Sequence, residues 1–141
     1  MDVRRVESET ELEDALTVRR AVFIEEQGVP EHRELDGKDE TATNFVAYDG
    51  DQPVGAARLR EYDDAAGKVE RVAVLEARRG EGLGREIMDA VEAAAKAAGC
   101  EAVVLHAQVP VVEFYDRLGY EVMSEEFEDA GIPHREMRKS L

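Results

Sequence analysis

The strongest periodic pattern of apolar and polar positions lies between Gly82 and Ala98. An apolar stripe recurs there at helical spacing while charged residues occupy the other side; the stripe is Leu83, Ile87, Val91 and Ala94, and the polar face is Glu86, Asp89, Glu92 and Lys96. This spacing predicts an amphipathic helix packed against a core. Gly99 follows as a C-terminal stop, so one long helix is expected in the second half of the chain.

Shorter segments around this helix predict a mixed α/β fold. Ser8 and Glu11 have capping-box spacing at the start of a helix that fades near Gln27–Gly28. The expected strands are Met1–Val6, Asn44–Tyr48, Val54–Tyr62, Lys68–Val74, Ala102–Ala107, Glu121–Phe127 and Pro133–Arg138, and a short helix starts at Pro110. The order β-α-β-β-β-α-β-α-β-β predicts a single mixed sheet flanked by helices, and one domain over residues 1–141.

A glycine-spaced turn joins the strand that ends at Val74 to the long helix. Gly80, Gly82 and Gly84 lack the Cβ atoms that would keep a ligand from the backbone. The first helical turn has unpaired N–H groups at the positive end of the helix dipole. Positive charge is added by Arg78, Arg79 and Arg85. This combination is typical of a cradle for an anion, most often phosphate.

Two common phosphate loops do not match this turn. A Walker loop needs Lys and then Ser or Thr after its last glycine, whereas Arg85 and Glu86 follow Gly84. A dinucleotide loop needs a glycine where Arg85 stands. The segment instead contains Arg-x-x-Gly-x-Gly, the pyrophosphate-loop signature of the GNAT family of N-acetyltransferases, which this chain resembles from about Val3 to Arg138. The cluster Glu25-Glu26-Gln27, with Pro30 and Asp36, resembles the ElaA-like branch of that family.

The resemblance implies the acyl-CoA N-acyltransferase fold, with acetyl-CoA as co-substrate and no metal. In the family the pantetheine arm pairs with the strand before the loop, whose backbone N–H also polarises the thioester carbonyl. The cofactor-binding residues implied here are Val72, Ala73, Val74, Arg79, Gly80, Glu81, Gly82, Leu83, Gly84 and Arg85. Gln108 stands where the family often has a pantetheine-binding asparagine, and it offers the same donor and acceptor on a longer arm.

Catalytic candidates lie on both sides of this loop. Phe114-Tyr115, followed by Gly119-Tyr120, resembles the family's coenzyme helix, which makes Tyr115 the candidate general acid for the departing thiolate. A purely structural role in the core is the alternative, because aromatic pairs usually pack there. Glu70 alternates with Val72 and Val74 along one strand, which predicts a shared face and a role as general base.

A second candidate base and the acceptor contacts are less strongly marked. His106 is the rival to Glu70, since an imidazole ordinarily titrates near neutral pH, although a lone histidine in a strand is commonly structural. By resemblance to the ElaA-like branch, Glu26, Gln27, Asp36 and Arg58 are candidate acceptor contacts, with a solvated helix end as the alternative. The predicted activity is acetyl transfer to a primary amine by direct attack on the thioester. The alternative is a non-catalytic sensor that binds acetyl-CoA or another nucleotide.

Composition restricts the partners. Asp and Glu number 33 against 18 Lys and Arg, for a formal net charge of -15. Such a surface repels nucleic acid and anionic membranes, and it favours a cationic acceptor, either a small molecule or a protein amine. The acidity is also typical of halophilic proteins from high-salt cytoplasm.

Other sequence features bear on location and assembly. No apolar run approaches the roughly 20 residues of a membrane span, and the N-terminus lacks a signal-peptide pattern. A single cysteine, Cys100, cannot form an internal disulfide and is expected to be a packed thiol. The three histidines are too far apart in sequence to suggest a metal site. We therefore expect a cytoplasmic protein, either a monomer or a homodimer.

Overall fold

A computed structural model describes all residues from Met1 to Leu141. The strands are β1 (Asp2–Arg5), β2 (Thr43–Asp49), β3 (Gln52–Glu61), β4 (Ala66–Val74), β5 (Ala102–Gln108), β6 (Glu121–Val122), β7 (Phe127–Asp129) and β8 (Ile132–Ser140). The helices are α1 (Glu9–Arg19), which continues as a π-helix over Arg20–Glu26, α2 (Glu31–Glu34), α3 (Leu83–Ala97) and α4 (Val112–Arg117). Short 3-10 turns precede α3 and α4. No helix is both long enough and apolar enough to cross a membrane.

The predicted helix boundaries follow from local chemistry. The Ser8 hydroxyl accepts from the Glu11 N–H at 3.1 Å, and the Glu11 carboxylate accepts from the Glu7 N–H at 2.8 Å. These bonds satisfy donors that a helix start otherwise leaves unpaired. Helix α3 ends at Ala97, and Gly99 soon after it has a φ of 93°, which suits a residue without a Cβ. Both helices therefore begin and end close to where the sequence predicts.

One mixed sheet organises the molecule, in the order β1-β2-β3-β4-β5-β8-β6, with β7 also pairing with β8. All neighbours are antiparallel except β4 and β5. The parallel pairing of β4 and β5 ends at Val69 and Leu105. Beyond that point both strands continue without pairing to each other, so the sheet splits open there.

Helices cover both faces of the sheet, as predicted. The main core lies between the sheet and α3, which buries Leu83, Ile87, Met88, Val91 and Ala95. Ala94, predicted within the apolar stripe, is only partly buried. A smaller core lies on the opposite face, where α1 packs Ala15 and Val18 against β2, β3 and β4. The split between β4 and β5 therefore lies between α3 on one face of the sheet and α1 on the other.

The prediction of one strand over Glu121–Phe127 was wrong. Strand β6 pairs with Met137 and Arg138 of β8, and β7 resumes pairing opposite His134. Between them the Glu136 N–H donates to the Ser124 hydroxyl at 2.9 Å instead of to a backbone carbonyl. Because a side chain takes over this bond, the ladder is interrupted and the chain loops away before β7.

Candidate active site

A cleft of about 1090 Å³ opens where β4 and β5 separate. It extends from the turn before α3, past the free edge of β4, to α2 and the β7–β8 turn. Nearly all sequence-predicted site residues line it; those that do are Glu26, Gln27, Asp36, Glu70, Val72, Ala73, Val74, Arg79, Gly80, Gly82, Leu83, Gly84, Arg85, His106, Gln108 and Tyr115. Arg58 and Glu81 do not line it. The fold thus brings distant candidates to one place.

The turn before α3 has the open backbone that its sequence predicts. Gly80 and Gly82 both have a φ of 82°, and a Cβ on either would meet no protein atom within 4 Å. Gly82 is the N-cap of α3, and no side chain caps the first turn. Its N–H groups therefore face the cleft without a side-chain acceptor. Gly84 differs, because a Cβ there would lie 3.0 Å from the Phe114 ring, so this glycine also permits α3 to approach α4.

The arginines of the turn have different partners. Arg79 binds both carboxylate oxygens of Glu26, at 2.7 and 2.8 Å, and this hydrogen bonding lowers the pKa of Glu26. Arg78 pairs with Asp49 at 2.8 Å and with Glu81 at 3.1 Å. The Glu81 side chain bonds to Arg78 and does not line the cleft, although Gly80 and Gly82 on either side of it do, so a contact between Glu81 and the cofactor stays a prediction. Arg85 is exposed and lines the cleft.

A β-bulge in β4 changes which side chains share a face. Arg71 has a φ of 58°, and the register with β3 shifts between Ala56 and Arg58. Val72 and Val74 pack against the α3 core, whereas Glu70 points to the opposite face and bonds to Arg58. The predicted common face of Glu70, Val72 and Val74 was therefore wrong, because the extra residue in the bulge inverts the alternation.

Glu70 is held by three cations. Its carboxylate accepts from Arg58 at 2.9 Å and from the Arg60 Nε, and Lys68 Nζ lies 3.5 Å away. Burial opposes ionisation, but the hydrogen bond from Arg60 and the charges of Arg58 and Lys68 outweigh it and lower the pKa of Glu70 to about 2. A carboxylate this acidic is a weak base at neutral pH. The structure therefore argues against Glu70 as the general base.

Arg58 is a structural cation and not an acceptor contact. Its side chain is 0% exposed and binds both oxygens of Asp36 at 2.9 Å, in addition to Glu70. Burial opposes the charge, but the bonds to Asp36 and the charge of Glu70 raise the pKa of Arg58. The predicted contact between Arg58 and the acceptor was wrong, because the strand buries this side chain beneath the carboxylates.

Tyr115 lies at the inner wall of the cleft, on α4. The residue is 7% exposed, its ring packs edge-on to Phe114 and Tyr120, and burial raises the pKa of its hydroxyl. The hydroxyl of neighbouring Tyr120 donates to Glu92 at 2.8 Å, away from the cleft. Tyr115 forms no such bond to the protein, so its O–H is available to a bound molecule.

One side-chain pair crosses the opening of the sheet, and a second lies beside it on β5 and β8. The Gln108 amide donates to the Gln27 side-chain oxygen at 2.9 Å, which joins the end of β5 to the end of the π-helix that continues α1. His106 Nε2 lies 3.1 Å from the Glu136 Oε1 on β8, and the imidazole packs edge-on to Phe127. The contact with Glu136 orients the His106 ring at the wall of the cleft. No group of three or more His, Cys, Asp or Glu is arranged to hold a metal ion.

The comparison with known proteins decides the family. Residues 7–141 match the family model described as an acetyltransferase (GNAT) domain. The chain is also 47% identical over 133 residues to an uncharacterized N-acetyltransferase of Bacillus subtilis, YjcF, covering 94% of both chains. The chain belongs to the GNAT acetyltransferase family.

Structural comparison agrees with this assignment. The GNAT fold of Escherichia coli ElaA superposes with a TM-score of 0.86 and 30% identity, covering 98% of each chain. Direct comparison with the ElaA sequence of strain K12 gives 34% identity over 95% of this chain and 90% of ElaA. A GNAT acetyltransferase from Elizabethkingia anophelis, solved with acetyl-CoA bound, shares the fold at a TM-score of 0.72 and 14% identity, covering 99% of this chain and 97% of its own. The resemblance to the ElaA-like branch is confirmed.

Sequence reasoning missed most of the ionic network beside the GNAT cleft. Arg19 is 0% exposed and binds Glu34 at 2.7 Å and Asp39 at 2.6 Å. Arg71 binds Glu34 at 3.1 Å from the bulge of β4. One available signal was the position of Arg19 on the apolar side of its helix, where a charged residue needs a buried partner. The identity of that partner depends on the path of the chain through α2.

Proposed function

We propose that this GNAT acetyltransferase transfers acetyl from acetyl-CoA to a primary amine by direct attack on the thioester, with Tyr115 as general acid and His106 as general base. The observation that carries the proposal is the opening between β4 and β5, which leads directly to the uncapped N-terminus of α3. Tyr115 and His106 line the same opening from α4 and β5.

The residues around the opening fit a pyrophosphate and a pantetheine arm. At the turn, Gly80 and Gly82 keep the space beside the α3 N–H groups free of side chains, and Arg85 adds charge. Along β4, the backbone beyond Val69 has no strand partner on the cleft side, so Val72 to Val74 can pair with an extended arm. The Elizabethkingia protein, which shares the fold, was solved with acetyl-CoA bound, and this supports acetyl-CoA as the ligand.

Two proton transfers are assigned to this chain's own residues. An amine of ordinary pKa is mostly protonated at neutral pH, so it must lose a proton before its nitrogen can bond to the acetyl carbon. His106 accepts that proton directly or through water, and Glu136 holds the ring in place. As the carbon–sulfur bond breaks, the Tyr115 hydroxyl donates its proton to the sulfur. A backbone N–H of β4 would stabilise negative charge on the carbonyl oxygen.

A direct test separates the enzyme from the sensor alternative. Calorimetry would measure acetyl-CoA binding, and release of free CoA thiol would measure turnover with a panel of primary amines. The proposal predicts both binding and amine-dependent thiol release, with an acetylated amine as the second product. Binding without turnover on any amine would favour the sensor, whereas absence of binding would refute both functions.

A further inference from the structure

The part of the cleft that lies away from the turn before α3 is here called the acceptor half. It is lined by cations although the whole molecule is strongly acidic. Arg60 and Lys68 extend from neighbouring positions of β3 and β4, Arg71 extends from the bulge, and Lys38 lies in the segment after α2. Lys68 and Arg60 are partly buried, with side chains 16% and 24% exposed. Partial burial matters because bulk water and salt screen such charges less than surface charges.

Carboxylates in this half of the cleft are partly compensated by buried arginines. Glu34 is paired with buried Arg19, and both Asp36 and Glu70 are paired with buried Arg58. Because Arg19 and Arg58 are 0% exposed, they cannot contact a ligand, but they compensate two of the four negative charges of Glu34, Asp36, Asp39 and Glu70. The four accessible cations exceed the two carboxylate charges that remain, even when Asp129 is added. Asp129, exposed on β7, is the one lining carboxylate without an ion pair in the protein.

Several donors on these accessible cations have no partner. The Lys68 ammonium has three donors, yet its one ion pair is the 3.5 Å contact with Glu70. Arg60 uses Nε and Nη2 on Glu70, which leaves Nη1 without an acceptor in the protein. The Lys38 side chain forms no ion pair; its backbone N–H donates to Asp36. These groups can bind an anion without breaking the network beneath them.

From this charge arrangement, and on the basis of the proposed function, we infer that the acceptor is an amine that also carries an anionic group, a carboxylate or a phosphate, held by Lys68 and Arg60. The expectation of a cationic acceptor, drawn from the acidic exterior, does not describe the cleft. Nearby positive charge also disfavours the protonated form of a bound amine. The same cations would thus orient the acceptor and ease removal of its proton.

Matched amines test this inference. Four compounds present a primary amine beside a different second group. The second group is neutral in ethanolamine, a carboxylate in β-alanine, a phosphate in O-phosphoethanolamine and a second cation in 1,3-diaminopropane. The expected kcat/KM with acetyl-CoA is about tenfold or more higher for at least one anionic amine than for ethanolamine, and lowest for the diamine. Whichever of β-alanine and O-phosphoethanolamine has the higher kcat/KM identifies the preferred anionic group as a carboxylate or a phosphate. Equal or higher kcat/KM for the neutral or cationic amine would overturn the inference.

Binding of the same amines to the CoA-saturated protein, measured by calorimetry, needs no chemistry. Detectable binding of an anionic amine and weaker binding of the diamine are expected, and failure of both anionic amines to bind would refute the inference. Acetyl-CoA binding, measured in parallel, is independent of this outcome. Its absence would instead refute the proposed function.

A variant that removes the Lys68 charge tests whether the preference for anionic amines arises in this half of the cleft. Lys68→Gln should raise KM, or Kd, for the preferred anionic amine about tenfold or more, and raise the values for ethanolamine by a clearly smaller factor. Glu70 keeps Arg58 and Arg60 in this variant, so the network should survive. The control is Lys96→Gln, exposed on α3 and outside the cleft, which should match wild type. Equal loss on neutral and anionic amines in Lys68→Gln would contradict anion recognition.

Discussion

At the scale of single residues, hydroxyl groups on two adjacent tyrosines have different surroundings. Tyr115 and Tyr120 have ring centroids 5.8 Å apart, but Tyr120 donates to Glu92 whereas Tyr115 lines the cleft. Removal of each hydroxyl should therefore have separate consequences, one for catalysis and one for stability.

Tyr115→Phe removes the proposed acid and retains the ring. We expect kcat to fall by about 10²–10⁴-fold, with acetyl-CoA affinity nearly unchanged. Tyr120→Phe is the matched control, expected to keep kcat and to lose about 1–3 kcal/mol of unfolding free energy, because Glu92 loses a partner. Steady-state kinetics and urea unfolding would measure both. A Tyr115→Phe kcat within about twofold of wild type would exclude the acid role.

Paired substitutions also test His106 and Glu70 as alternative general bases. His106→Gln should reduce kcat about 10²-fold or more and remove the rise of kcat with pH that a histidine base produces. Glu70→Gln should keep that rise, since its carboxylate is committed to Arg58 and Arg60. Profiles of kcat from about pH 6 to about pH 10 would compare them. Loss of the rise in Glu70→Gln alone would reverse the assignment.

At the scale of elements, the N-terminus of α3 and the free edge of β4 form the proposed cofactor surface. Helix α3 also offers an internal comparison. Gly82 at its start and Gly99 after its end both have positive φ, and a Cβ on either would meet no protein atom within 4 Å. An alanine at either position carries similar backbone strain, of about 1–2 kcal/mol. Only Gly82 lies in the cleft.

Gly82→Ala should therefore weaken acetyl-CoA binding about tenfold or more, because the methyl group would occupy the phosphate position. Both variants should lower the melting temperature by a similar amount, but Gly99→Ala should keep the wild-type affinity for acetyl-CoA. Calorimetry and thermal unfolding of the two variants would separate strain from ligand contact. If both variants bound acetyl-CoA equally well, the phosphate would have to lie elsewhere.

At the scale of the whole molecule, the distribution of charge controls stability. The buried network gathers cations around Glu70, while the exterior carries most of the net charge of -15. These two features respond to different conditions, because paired buried charges respond to protonation whereas exposed charges respond to salt.

Acid should weaken the network. The folded pKa of Glu70 lies below its ordinary value of 4.5, at about 2. Its contribution is thus fully present above pH 4.5 and is lost as the pH falls through about 2, on the order of 3 kcal/mol. The difference in unfolding free energy between wild type and Glu70→Gln should narrow over that range. Glu113→Gln, with a side chain 77% exposed on α4, is the control expected to show no such narrowing.

Salt should stabilise the fold if the acidity is a halophilic adaptation. Screening by potassium chloride reduces repulsion among the exterior carboxylates, so the melting temperature should rise from dilute buffer to molar salt. Differential scanning calorimetry would measure it. An unchanged melting temperature would count against the halophilic interpretation.

Local sequence determined the parts of this protein that depend on neighbours along the chain. The stripe from Leu83 to Val91 gave the main helix its buried face, and Gly80 with Gly82 opened the backbone at its start. These features need only a few consecutive residues, because helical periodicity and glycine conformations are local properties. The family assignment followed from the same segment.

Tertiary structure alone decided the features that join distant segments. The bulge at Arg71 reversed the face of Glu70, and a strand pattern of alternating residues cannot show one inserted position. Likewise, Glu136 meets His106 and Arg58 meets Asp36 only after β8 and α2 have reached the sheet. Burial and partner charges then lower the pKa of Glu70, so the argument against it as a base depends on cations that meet it only in the folded chain.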